Sequence, residues 1–202
     1  DERATPALAL GIATSTRGCD HLRSRPAIDL YHLPEKVLEE VFDGGPMSSD
    51  YKSYVGKARE IWVMERIFAV VDSIGTCKFH TIFFSPHMPS WNEWSEMIHH
   101  VTGMEFTSEE LKEIGERIYT IEKMFNYREA GFDRKDDRLP ERYFAEAVPG
   151  GLPVVKGTKM SRKKFEKMLD EYYELHGWDK NGLPTEEALK KLGLDNEPSH
   201  IL

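Results

Sequence analysis

Residues 53–74 restrict the fold of this chain more than any other stretch. Val55, Ala58, Ile61, Trp62, Val63, Met64, Ile67, Phe68, Val70 and Val71 recur there at helical spacing. In the second half the apolar positions fall on more than one face, and such a helix sits inside the molecule. Gly75 follows, well placed to end the helix in a left-handed cap, after which the chain must turn sharply.

The remaining strong signals are also helical. Thr107-Ser108-Glu109-Glu110 has the form of a capping box, and Leu111, Ile114, Ile118, Ile121 and Phe125 follow at steps of three and four. The spacing predicts a long amphipathic helix over 108–128. Ser161 caps another, with Phe165, Met168, Leu169, Tyr172 and Leu175 on one face and Gly177 as its stop. Residues 186–192 place acids first and lysines last, matching the helix dipole. Shorter helices are expected over 4–14, 34–42 and 91–101. Residues 79–84 are ambiguous with a strand. The pattern predicts an all-α, multihelical fold, with a domain over 1–153 and a helical appendage over 154–202 after the loop Pro149-Gly150-Gly151-Leu152-Pro153.

Composition removes several function classes. The 202 residues are 40% hydrophobic and 11% aromatic, enough to fill a core. A net charge of -8 argues against nucleic acid, which leaves a clustered basic footprint. The basic run over 156–167 is interleaved with Met160 and Phe165, as on the solvated side of an amphipathic helix. No stretch reaches the roughly 20 apolar residues of a membrane span, and no charged-then-apolar leader follows Asp1. Two cysteines fit a reducing, cytoplasmic setting better than a disulfide framework. Paired Cys-x-x-Cys, glycine-rich dinucleotide loops, Walker sequences and Gly-x-Ser-x-Gly elbows are all missing.

Three stretches carry chemistry. In Asp72-Ser73-Ile74-Gly75-Thr76-Cys77, a carboxylate and a thiol stand where the apolar helix runs out. The plain alternative is a helix end with a buried thiol packed as a small hydrophobe, although a buried Asp72 then needs a partner. In Arg17-Gly18-Cys19-Asp20-His21-Leu22-Arg23, histidine suits proton transfer and arginine suits anions. The plain alternative is a polar turn capped by Asp20 with solvated arginines. His80, His87, His99 and His100 show no zinc-site spacing and read as surface or packing residues. His80 alone, three residues beyond Cys77, is placed to line the same cavity.

These two motifs together resemble the C-terminal domain of the tungsten-containing aldehyde ferredoxin oxidoreductase family. The similarity continues through Gly115-Glu116-Arg117-Ile118, Met124-Phe125-Asn126, Asp136-Asp137-Arg138-Leu139-Pro140-Glu141-Arg142-Tyr143 and Tyr172-Tyr173-Glu174-Leu175-His176-Gly177-Trp178, nearly the whole chain. The resemblance implies oxidation of aldehydes to carboxylic acids at a tungsten held by two pterins. Electrons pass through a 4Fe-4S cluster to ferredoxin. It makes Cys77 the last cysteine ligand of the cluster. Asp72 and the backbone around Gly75 and Thr76 bind a pterin, and His21 handles a proton beside the tungsten. Thr76 stands where the family commonly has an apolar residue, and Lys78 adds a cation near the cluster.

The family's other pterin motif and its three clustered cysteines precede this region. The expectation is therefore a C-terminal third that binds no intact cluster or tungsten by itself and works with the N-terminal and middle domains. A homodimer is among the assemblies the resemblance allows. Two rival readings remain: a reductase of an aromatic thioester, like the family members related to benzoyl-CoA reductase, and a non-catalytic helical interaction domain. The latter expects an enclosed Cys77 and an Asp72 satisfied by its own domain.

Overall fold

The computed structural model describes residues 2–195. Eight α-helices run in the order α1 (Pro6–Thr14), α2 (Glu35–Val41), α3 (Lys57–Ile74), α4 (Trp91–Thr102), α5 (Ser108–Ala130), α6 (Arg142–Ala145), α7 (Arg162–His176) and α8 (Glu186–Lys191) among the described residues. No sheet forms there; a single isolated bridge joins Trp178 to Pro184. The all-α expectation holds.

Helix α3 is the axis of the molecule, packing against α1, α5 and α7, while α4 packs on α5. Its apolar positions on several faces are divided between two cores. Val63, Met64, Phe68 and Val71 meet Phe42, Phe83, Trp94 and Leu111 on one side. Ala58 and Ile61 meet Leu10, Tyr119, Phe165 and Tyr172 on the other. Where α5 crosses α3 the backbones approach closely. A Cβ on Gly115 would lie 2.6 Å from the Arg66 carbonyl oxygen. A small residue is therefore required at the crossing, whatever its cost in helix propensity.

Helix α3 begins at Lys57, four residues later than its apolar pattern suggests. Gly56 takes a φ of 78°, and a Cβ there would lie 2.5 Å from Met47 Sδ. The loop through Pro46 and Met47, which packs against Gly56, sets this boundary. Residues 79–84 form no strand: a 3-10 turn over Lys78–His80 is followed by further turns. Thr81, fully buried, closes the segment by donating to the Lys78 carbonyl and accepting from Phe83 N–H. On α7 the basic residues Arg162, Lys163, Lys164 and Lys167 are exposed while Phe165 and Met168 are buried. The capping box at Thr107 and the glycine stops after α3 and α7 are found as the sequence indicated, and α5 also ends at a glycine, Gly131.

Candidate functional site

The end of α3 carries the first motif. Gly75 adopts the left-handed conformation at φ 74°, and Thr76 N–H returns to the Val71 carbonyl, so the chain leaves the helix in one sharp turn. Space beyond Gly75 is open, with no atom within 4 Å of a built Cβ. Cys77, two residues on, is an exposed free thiol. This departs from the plain reading of a buried cysteine. The 3-10 turn that starts at Lys78 keeps Cys77 outside the core, as it also keeps Phe79 and His80.

Asp72 is not the desolvated acid that the run over 67–71 implied. Its side chain is 41% exposed and paired with both Arg23 and Lys78. Position on α3 decides this, because the last turn rotates Asp72 away from the apolar neighbours of Val70 and Val71. Arg23 Nη1 donates at 3.2 Å and Lys78 Nζ at 2.9 Å, both to Oδ2. Among the described residues no donor reaches Oδ1.

The second motif folds onto the first. Asp20 caps a 3-10 turn over His21–Arg23 by accepting from Leu22 N–H at 2.7 Å. Arg17 pairs with Asp20 and remains half exposed, as a polar turn predicts. Arg23 does not: it is 4% exposed, reaching inward to Asp72 and to Glu122 of α5. Lys78 Nζ also donates to the Leu22 carbonyl at 2.8 Å. Two side chains thus staple the turn bearing His21 to the segment bearing Asp72 and Cys77. His21 is exposed on that face. The extra cation Lys78 is turned toward Asp72 and lies over Phe68, with its side chain 17% exposed. His80, His87, His99 and His100 are exposed.

Sequence reasoning missed the buried charges behind this face. Glu65 of α3 accepts from Tyr119 at 2.9 Å, Tyr172 at 2.8 Å and Thr14 at 3.5 Å. His176 lies between Glu65 and Glu116. Burial opposes its charge, but the two carboxylates outweigh that and raise its pKa to about 9. Lys57 is enclosed with Asp29 and Glu60; burial, together with the neighbouring Asp29, pushes the Glu60 carboxyl up to about 8. Glu60 and Glu65 stand out among the apolar positions of α3, which was the available signal.

A cavity of about 790 Å³ opens on another side of the molecule, between α3, α5, α7 and α8, lined by Trp62, Arg66, Glu116 and His176 among others. None of His21, Asp72, Gly75, Thr76 and Cys77 lines it. His21, Asp72, Gly75 and Cys77 are all exposed, so the candidate site is an open face. Among the described residues no three His, Cys, Asp or Glu side chains gather to hold a metal ion.

Residues 1–194 match the family model of aldehyde ferredoxin oxidoreductase, domains 2 and 3. The chain belongs to this family. The tungsten-containing aldehyde ferredoxin oxidoreductase of Pyrococcus horikoshii is 30% identical over 196 residues, covering 96% of this chain. The chain spans 29% of that relative's length. A WOR-like subunit of an aliphatic sulfonate oxidoreductase from Pyrococcus furiosus is 31% identical over 150 residues, covering 72% of this chain and 23% of the relative. Among solved structures, the active site complex BamBC of benzoyl coenzyme A reductase, in complex with 1,5-dienoyl-CoA, superposes with a TM-score of 0.65. It is 21% identical, covers 95% of this chain and 30% of its own, and shares the fold.

The donor set fits a share of the cofactors that the family's name implies. One accessible thiol fits one of the four cysteine positions of a 4Fe-4S cluster. A carboxylate with one oxygen unengaged fits the N–H donors of a pterin. Of the two expectations of the interaction-domain reading, an enclosed Cys77 is not met and an Asp72 paired within its own domain is. No described helix is long and apolar enough to cross a membrane.

Proposed function

We propose that this chain is the C-terminal part of a tungstopterin enzyme that oxidises aldehydes to carboxylic acids and delivers the electrons through a 4Fe-4S cluster to ferredoxin. The observation that carries this reading is the open turn at Gly75. It presents an unblocked thiol at Cys77 beside a carboxylate whose Oδ1 is free, with the His21 turn docked alongside. The preceding domains of the same enzyme supply the other walls and the other three cluster cysteines.

Each residue then has a role. Cys77 gives its thiolate to the cluster. The Asp72 carboxylate and the backbone at Gly75 and Thr76 bind a pterin, whose N–H groups need acceptors. When bound, the tungsten centre accepts two electrons from the substrate. An aldehyde and a water become a carboxylic acid, two electrons and two protons. His21, exposed beside this turn, takes one of those protons. The division of the chain at 153/154 belongs to the same proposal and is supported by the turn-rich loop over 146–160.

The reading is tested by assaying the assembled enzyme for ferredoxin reduction with a panel of aldehydes and, in parallel, for oxidation of a reduced electron donor with aromatic acyl-CoA thioesters. Turnover of aldehydes is expected. Turnover of thioesters alone would replace this substrate class with the benzoyl-CoA type, and no tungsten or iron in the assembled protein would leave only the interaction domain.

A further inference from the structure

Arg23 is out of place as a solvated arginine and expensive as a buried one. It lies two residues from His21 in a short turn, and both of the turn's other residues, His21 and Leu22, are exposed, while Arg23 is 4% exposed. Removing a guanidinium from water is costly unless its donors are met. Nη1 meets Asp72 at the end of α3, and Nη2 meets Glu122 in the middle of α5. Nε is buried with no partner. The plane lies 5.7 Å from the Tyr119 ring centroid. An apolar side chain would fill this space without an orphaned N–H, so packing alone does not account for the residue.

What an arginine adds is a rigid fork that reaches two carboxylates on two helices at once. Glu122 is itself fixed by the Thr16 hydroxyl at 2.6 Å, and Asn126, one turn on, donates to the Thr16 carbonyl at 2.6 Å. The fork is therefore anchored on α5 and on the segment leading into the His21 turn. Its other prong takes only Oδ2 of Asp72, the oxygen that Lys78 also takes. The carboxylate cannot rotate without breaking both charge-assisted bonds.

We propose that Arg23 is a positioning residue: it holds Asp72 by Oδ2 so that Oδ1 stays free for the pterin, and locks the His21 turn to the end of α3. The inference rests on the pterin role given to Asp72 above. Residues that orient a ligand-binding group commonly change affinity by about 10–100-fold when removed.

The test uses the assembled enzyme with Arg23→Lys, Arg23→Met, Asp72→Asn and the double variant Arg23→Met/Asp72→Asn, reading tungsten and pterin per chain together with the melting temperature. Arg23→Met is expected to weaken cofactor retention on the order of tenfold. Arg23→Lys keeps the charge but not the fork, and is expected to retain the fold while restoring only part of the cofactor. Because Arg23 acts through Asp72, the double variant should lose no more than Asp72→Asn. Full cofactor content in Arg23→Lys, or a double variant that loses the product of the two single effects, overturns the inference. If Asp72→Asn loses cofactor while Arg23→Met keeps it, only the positioning role fails. If Asp72→Asn keeps it, the pterin role fails and the inference with it.

Discussion

Nε2 of His176 on α7 lies 3.3 Å from Oε2 of Glu65 on α3, and neither side chain is reached by solvent. The contact ties the two helices at the centre of the bundle, and through Tyr119 it reaches α5 as well. A histidine whose folded pKa is raised stabilises the fold fully below its unfolded value of about 6.5 and loses that contribution as pH rises through the folded value. Here the folded value is about 9, set against burial by Glu116 and Glu65. The Glu65 carboxyl, pushed up by burial, loses stability with rising pH in the same sense, from a lower starting pH. Thermal unfolding of the chain should show stability falling between about pH 6.5 and 9, by on the order of 3 kcal/mol. His176→Gln should flatten that slope. An unchanged slope in the variant would contradict the imidazolium assignment.

Lys57 sits with both Asp29 and Glu60, and Asp29 Oδ2 and Glu60 Oε1 already have no partner. Lys57→Met removes the single cation from this enclosed group and leaves a buried carboxylate uncompensated. Denaturant unfolding should show a loss of about 3–5 kcal/mol. A loss below about 1 kcal/mol, the range of an exposed pair, would mean that the group is hydrated.

In an ordinary helix interior Gly→Ala stabilises by about 1 kcal/mol. At Gly115 the sign should reverse, since the new methyl would lie 2.6 Å from the Arg66 oxygen and 2.9 Å from Arg66 Cα. Gly115→Ala is expected to destabilise by about 1–3 kcal/mol, the cost of overpacking. A higher melting temperature would show that α3 and α5 do not cross this closely.

Cys19 and Cys77 are both exposed. A thiol reagent should titrate two groups on the native chain without denaturant, and only one once Cys77 is engaged in the assembled enzyme. A native chain that gives a single reactive thiol would bury Cys77 and return it to the plain reading.

Elements whose boundaries are set locally were legible from the residues. Thr107 and Glu110 announce the start of α5, and Gly75 and Gly177 announce stops, because each acts on backbone groups within its own turn. The start of α3 was not legible, because Gly56 answers to Met47 and Pro46 across a loop. The burial of Asp72 was misjudged for a related reason. Its neighbours in sequence are apolar, but its partner Arg23 lies 49 residues away and its exposure depends on where the last helical turn points. From its place at the helix end the Cys77 thiol reads as a small hydrophobe, and from the family resemblance as a cluster ligand; only the turn after Gly75 shows it facing out. The inner networks around Glu65 and Lys57 join segments 28 to 111 residues apart, beyond the reach of any periodicity.

The central claim is that Cys77 completes a 4Fe-4S cluster. Electron paramagnetic resonance of the reduced, assembled enzyme carrying Cys77→Ser tests it most directly, with iron content measured on the same sample. The account predicts a diminished or altered cluster signal, with the helical fold and the melting behaviour of this chain retained because Cys77 packs against no core. A cluster signal and iron content identical to those of the unsubstituted enzyme would contradict it.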